Sequence, residues 1–338
     1  MQTALWAIVV FCIIIFIHEF GHFITAKMCK MTVHEFSIGM GPKLFGFGKK
    51  TRYSLRLLPV GGFVSLEGEN GDSDDPNAFC HKSLFKRFIV LVSGAFMNIL
   101  LGFLIFVVIF SSSSVISNKT GDIIADSPFD KAGIEKGDTI VYMEGDTISL
   151  SVHSYRDISL FMYLNGDSTA KITFERDGEE FTKTITPMKT EKGSVILGFN
   201  VTYMEHDFYS VVSAAFWECI FVIKSVFLSV WLLIKGVFPA SSVSGPVGIV
   251  SEIGKAAEYG WRNVLNLAGL ISVNLGVMNL LPIPALDGGR ILFLIIEKIR
   301  GKKMKPETEG MINFVFFAIL ILLMLIITFS DVNKLIGK

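Results

Sequence analysis

Residues 4–22 read ALWAIVVFCIIIFIHEFGH, an apolar run that leads directly into two histidines and a glutamate. About 20 apolar residues suffice to cross a bilayer as a helix, so Ala4–Thr25 is a predicted span. A charged residue at bilayer depth costs at least about 2.5 kcal/mol and marks a functional position. His18 and His22 stand four residues apart, which on a helix puts both imidazoles on one face. This HExxH spacing lets both rings reach one ion and leaves Glu19 beside the ion's bound water as a general base. Zinc suits the donor set, being redox-inert, accepting nitrogen and oxygen, and lowering its water's pKa to about 7.

Two histidines leave a catalytic zinc site one ligand short, since such sites carry three protein ligands and an open position. His153 and His206 fall in a polar middle region, and His34 and His81 in a basic loop. A carboxylate is needed, and Asp287 follows an apolar stretch directly in NLLPIPALDGG, residues 279–289. Pro282 and Pro284 prevent a regular helix just ahead of it and leave backbone carbonyls unpaired. Broken helices at membrane depth are tolerated where protein buries them or where they line a wet cavity. A protease there must admit water and bind its substrate extended, a strand that freed backbone and the Asn279 amide could hold. The alternative is a plain helix-ending turn with Asn279 as an interhelical contact.

The composition agrees with a membrane setting. Of 338 residues 51% are hydrophobic and only 18% charged, where soluble domains sit near a quarter charged, and mean hydropathy is +0.54. Net charge is zero, so no nucleic-acid partner is indicated. Cys12, Cys29, Cys80 and Cys219 lie far apart, which argues against a disulfide framework. The first six residues carry no Lys or Arg, so the first apolar run reads as a retained span rather than a cleaved signal.

Phe88–Phe110 and Ile312–Phe329 are further predicted spans, and Val264–Ile283 a weaker one interrupted by Asn266, Asn274 and Asn279. In Phe208–Phe238 polar residues from Ser210 to Lys235, Glu218 and Lys224 among them, recur at helical spacing. That stripe suggests an amphipathic helix lying at the interface, the rival being a true span with its charges turned inward. Basic residues crowd the segment between the first two spans and again Arg290–Lys305, while residues 111–207 are rich in acid. The positive-inside rule puts both basic loops in the cytoplasm and the acidic region outside. Four spans with both termini outside satisfy this. His18, His22 and Asp287 then fall at a similar depth towards the cytoplasm, whereas a fifth span would separate them.

Residues 115–199 have the pattern of a small α/β domain. Lys171–Glu175 and Glu180–Ile185 alternate polar and apolar residues around a turn at Arg176–Glu179, which reads as a hairpin. Ser127–Gly133 reads as a short capped helix closed by glycine. The run SPFDKAGIEKGDTIVYMEGDTI, residues 127–148, resembles a PDZ domain.

HEFGH on the first span and NLLPIPALDGG on a later one together resemble the site-2 protease family of intramembrane metalloproteases, in particular bacterial sigma-factor regulators with an extracytoplasmic PDZ domain. Nearly the whole chain takes part, through FSIGMGPKLFG, LLPVGGFVSLEGE, SGAFMN, the PDZ-like words and SGPVGI in the same order. The resemblance implies zinc ligands His18, His22 and Asp287, Glu19 as the base, and Asn279, Pro282 and Pro284 as holders of the substrate segment. It implies that Gly39 and Gly41 lie in a membrane-associated β-hairpin that pairs with an extended substrate. Asn98 matches a position of the second span where the family often shows GPxxN, and Ala95 here replaces the proline. Many relatives carry two PDZ domains, and this chain has room for one. An edge strand within residues 36–66 could capture an unwound substrate by β-augmentation.

The fold expected is thus a polytopic α-helical membrane protein of about four transmembrane helices, with a β-hairpin loop and one inserted PDZ-like α/β domain. Its parts are an N-terminal membrane half (1–114), the extracytoplasmic domain (115–200), an amphipathic helix and linker (201–260) and a C-terminal membrane half (261–338). The expected activity is zinc-dependent hydrolysis of single-span membrane proteins in the bacterial plasma membrane, with anti-sigma factors or remnant signal peptides as substrates. The PDZ-like domain would filter substrates by size, dock a substrate C-terminus, or act as a spacer. Rival readings are an inactive scaffold, disfavoured by the intact Glu19, and a PDZ peptide receptor, which leaves HEFGH and LDG unexplained. A metal transporter would be expected to show internal repeats, and none is found in the sequence.

Overall fold

The computed structural model describes residues 2–69, 71–190, 193–236 and 244–336. The chain divides into two compact units, residues 1–105 with 222–338, and residues 106–221. The first unit contains helix α1 (Gln2–Met28), strands β1 (Val33–Phe47) and β2 (Arg52–Leu66), and most of α2 (Leu84–Phe110). The second contains strands β3 (Ile116–Ile123), β4 (Thr139–Glu144), β5 (Ser149–Ser151), β6 (Ala170–Arg176), β7 (Glu179–Ile185), β8 (Met188–Lys189), β9 (Val195–Ile196) and β10 (Phe199–Tyr203). Its helices are α3 (Pro128–Lys131), α4 (Tyr155–Asn165) and the start of α5 (Phe208–Ile234). The first unit resumes with the rest of α5 and continues with α6 (Pro246–Glu258), α7 (Trp261–Leu280), α8 (Asp287–Arg300) and α9 (Pro306–Ile336).

Among the described residues α1, α2, α5, α7 and α9 are long and apolar enough to cross a membrane. The β-branched residues that fill α1 are indifferent helix formers in water. In hydrocarbon, however, every backbone N–H and C=O must be satisfied within the segment, and that requirement overrides propensity. α7 ends at Leu280, short of the expected Ile283, because Pro282 lacks an N–H and restricts the residue before it. α5 is one unbroken helix of 27 residues, and Phe238, the expected end of its stretch, lies outside the described residues. Glu218, read as part of α5's polar stripe, is buried and pairs with Arg156 of α4, while Trp217 stacks on His153 at 3.7 Å between ring centroids. That part of the stripe faces protein.

In the first unit α7 runs in the same direction as α1. Val264 and Ala268 near its start pack with Ala7, Val10 and Ile14 near the start of α1, and Asp287 just beyond its end meets His18 and His22. α2 runs the other way beside both. Close approach depends on small residues: a Cβ at Gly21 would stand 2.5 Å from the Ser93 carbonyl oxygen, and one at Gly276 would stand 2.8 Å from that of Ala95.

The expected β-hairpin is a small sheet. Phe36 faces both Val64 and Tyr53, Ser37 both Phe63 and Ser54, and Ile38 both Gly62 and Leu55. Both long strands are therefore bent: residues 33–38 lie between 62–66 and 52–55, and 43–47 lie beyond 52–56. The bends fall at Gly39 and Gly61, whose φ values of +82° and +80° suit glycine.

The second unit has strand order β10-β3-β4-β6-β7, with β5 on β4. The expected hairpin is β6–β7, turning through Asp177 and Gly178 at φ 53° and 84°, positive values that a tight hairpin turn requires. Ser127 caps α3 by accepting from the Asp130 N–H. Phe129, Ile140, Met143, Phe161, Ile172 and Phe174 form the core.

Asp138, 1% exposed as a side chain, accepts from Arg176 at 2.6 and 2.7 Å and from the Glu135 N–H. Burial pushes its carboxyl up, but the Arg176 hydrogen bonds, the Glu135 N–H and the Arg176 charge together hold it below the ordinary value. A carboxylate depressed in the folded state stabilises fully above its unfolded pKa, about 3.9, and loses that contribution as pH falls through the folded value. Asp138→Asn is expected to lower the urea midpoint of this unit by on the order of 1 M at pH 6 and by less at pH 3. Protease resistance of the full chain at increasing urea measures both.

Candidate metal centre

His18 and His22 project from successive turns of α1, and Asp287 opens α8 after the proline-broken turn that ends α7. His18 Nε2 and His22 Nε2 are 3.3 Å apart, and each lies 3.2 Å from Asp287 Oδ2. Among the described residues these three form the group able to hold a metal ion. Donors at 2.0–2.1 Å around a tetrahedral zinc stand about 3.3 Å from one another, so the triangle has the edge length of such a site. Asp287 Oδ2 is buried without a hydrogen-bond partner, so the two contacts with histidine are close approaches that lack hydrogen-bond geometry. A buried carboxylate oxygen left this way is costly, and a cation at the centre of the triangle would satisfy it. The residues fit zinc.

The second nitrogen of each ring is occupied. His22 Nδ1 is 2.8 Å from the Val90 carbonyl oxygen. A carbonyl only accepts, so Nδ1 carries the proton and Nε2 presents its lone pair to the centre. The Asn98 amide lies 3.3 Å from His18 Nδ1, and its Oδ1 is buried without a partner while its nitrogen faces the ring. With the amide turned by half, its oxygen accepts from a proton on His18 Nδ1 and His18 Nε2 is free to face the centre in the same way. The Asn98 backbone carbonyl in turn accepts from Ser272 Oγ at 2.7 Å, joining α2 to α7.

Asp287 is held from behind. Arg290 pairs with Glu69 beyond β2, and Arg87 of α2 grips Glu297 with two bonds of 2.6 and 3.0 Å, so α8 is anchored on two neighbours. Glu19 lies against Gly62, where an added Cβ would be 3.0 Å from its Cγ. Asn279 is half-buried in the last turn of α7, Pro282 is exposed and Pro284 buried. Gly39 and Gly41 pack against Leu58 instead. The strand beside Glu19 is 62–66, an outer strand of the small sheet.

Sequence reasoning missed Gly62 and Gly94. A Cβ at Gly94 would overlap the His22 ring nitrogen that faces the centre. Both belong to words noted in the sequence, PVGGF and SGAFMN, where small residues were the only signal. Val90 contributes through its backbone, and its side chain carries no trace of that.

An HExxH helix embedded in a bundle of long apolar helices, with a carboxylate delivered from a broken helix, defines a membrane metallopeptidase. The profile of peptidase family M50 matches residues 6–323, and the chain belongs to that family. A Clostridium acetobutylicum protein named as a zinc metalloprotease is 39% identical over 331 residues, covering 96% of each chain. The zinc metalloprotease RasP of Shouchella clausii is 31% identical, covering 99% of this chain and 100% of its own. The regulator of sigma-W protease RasP of Bacillus subtilis is 28% identical, covering 99% of each. The alignment with the Shouchella protein runs over 427 positions, more than the 338 residues here, so that relative carries inserted segments.

Gly94→Ala is expected to displace the His22 ring and lower zinc retention by about tenfold or more, with the size-exclusion profile unchanged. Metal analysis of the purified protein after dialysis against a weak chelator measures it.

Proposed function

We propose that this chain is an intramembrane zinc metalloendopeptidase that hydrolyses peptide bonds of single-span membrane proteins. The observation that carries the reading is the triangle of His18, His22 and Asp287 donors, 3.2–3.3 Å on each edge, at the end of an apolar helix with Glu19 beside it. The zinc metalloprotease names of the relatives support the choice of ion.

His18, His22 and Asp287 are the zinc ligands in this reading. Zinc bound there supplies a Lewis acid and a water whose pKa falls to about 7. Val90 and Asn98 keep each ring in the tautomer that ligates. Glu19 takes the proton of the attacking water and delivers it to the amide nitrogen as the C–N bond breaks. A substrate helix hides its scissile amide in its own hydrogen bonds and must be unwound first. The outer strand 62–66 lies next to Glu19 and is suited to pair with the unwound segment. Asn279 and the backbone around Pro282 and Pro284 are suited to hold the other side of that segment. Gly39 and Gly41 serve by shaping the sheet.

Four membrane crossings fit the helix directions. α1 and α7 point the same way, which requires α2 to be the single crossing between them. A crossing α5 would reverse α7, and α6, with 13 residues, is too short to cross back. This supports reading α5 as an interfacial helix, and the basic loops support setting the catalytic end of the bundle towards the cytoplasm and the 115–200 domain outside the plasma membrane. That domain is PDZ-like and either filters substrates by size or receives a trimmed substrate C-terminus. The sigma-W regulator name of the Bacillus relative favours membrane-bound anti-sigma factors as substrates, with remnant signal peptides as a second class.

The test is cleavage of a tagged single-span substrate in membranes. Glu19→Gln should lower the rate at least about 100-fold with zinc retained, and Asp287→Ala should lose both zinc and cleavage. Undiminished cleavage by Glu19→Gln would overturn the mechanism and favour a scaffold role.

A further inference from the structure

The turn that presents Asp287 contains one backbone donor satisfied from outside it. Pro282 and Pro284 have no N–H, Ile283 donates to the Leu281 carbonyl at 2.7 Å, and Leu286 donates to that of Ile283 at 3.2 Å. The Ala285 N–H instead donates to Asn313 Oδ1 of α9 at 3.0 Å. Ala285 sits at φ 75°, the left-handed region in which an alanine Cβ crowds its own carbonyl. Such a conformation persists only when its surroundings hold it. Within the turn there is no slack to absorb a change: a Cβ at Gly288 would overlap the Leu281 carbonyl oxygen, and one at Gly289 would meet that of Ile283 at 2.5 Å.

α9 itself has few such contacts. None of the residues in its apolar window is buried within the protein, and lipid is as good a solvent for that surface as a neighbouring helix. Among the described residues its polar links to the rest of the first unit lie near its two ends. Near the start is Asn313. Near the finish buried Asp331 accepts from the Gly245 and Gly248 N–H groups at 2.9 and 2.8 Å, at the start of α6.

We propose that Asn313 is a positioning residue for the metal centre: by holding the Ala285 N–H it fixes the left-handed turn that delivers Asp287 to His18 and His22. The geometry of the third ligand thereby depends on α9 being seated against the turn. This rests on Asp287 being a zinc ligand, and it adds a residue that touches neither ion nor substrate.

The experiment measures zinc affinity of the full chain in detergent by competition with a fluorescent chelator, alongside substrate cleavage. Asn313→Ala should weaken zinc about tenfold or more, and Asn313→Asp, which keeps an acceptor oxygen in place, should stay within about threefold of wild type. Ala285→Gly, which accepts the left-handed turn without strain, should recover most of the loss in the Asn313→Ala background. A role confined to seating α9 would not be rescued at position 285. Wild-type zinc affinity in Asn313→Ala, or no recovery in the double variant, overturns the proposal. Should Asn313→Ala fail to accumulate, Asn313→Gln against Asn313→Asp carries the same test, because glutamine moves the oxygen by one methylene; equal zinc affinity of those two overturns it. A wild-type chain that binds no zinc would instead defeat the assignment of Asp287, a distinct result.

Discussion

The structure turns on one requirement: a carboxylate just beyond the end of one apolar helix has to reach two imidazoles on another, where little water is at hand to compensate for a miss. Buried ionisable groups in that setting are tolerable only when their partners stand in place beforehand. The parallel run of α1 and α7 brings the end of α7 level with His18 and His22 on α1. Gly21 of α1 and Gly276 of α7, each set against a carbonyl of α2, let three backbones approach closely enough for side chains of ordinary length to converge. The break at Pro282 and Pro284 then turns the chain so that Asp287 opens a new helix facing the histidines.

Much of this was legible in the sequence because it rests on local rules. The four-residue repeat of a helix puts His18 and His22 on one face, as read, and Asp287, read as a carboxylate behind two prolines at the end of an apolar stretch, lies beside them. The β6–β7 hairpin and the capped α3 are short-range patterns, and they formed as read.

What was hidden depends on tertiary approach. Residues 33–66 have the outline of one hairpin, yet the bends at Gly39 and Gly61 fold them into four short strands. The strand beside Glu19 is consequently 62–66 and not the segment around Gly39 and Gly41. Glycine in a strand signals either a bend or a close approach, and only the assembled sheet shows which applies where. Gly39 is a bend, and Gly62 is the close approach. The polar stripe of α5 was ambiguous for a similar reason. A polar side chain on an apolar helix is satisfied equally by interfacial water and by a protein partner, and for Glu218 the partner is Arg156, invisible at a separation of 62 residues.

The same logic ranks the residues around the centre. Ligands are recognisable by type, but the groups that orient them are recognisable only by where they lie. In the proposed reading Val90 would act through a carbonyl that any residue supplies, Asn98 through one end of an amide, and Gly94 through the absence of a side chain. Each sets a condition that the ligands cannot meet alone: the proton on the far nitrogen, the rotation of the ring, the space for it to stand in. A chain could therefore retain HEFGH and LDG intact and still lose the site through any one of these three positions, which is why motif residues by themselves are incomplete evidence of an active metallopeptidase.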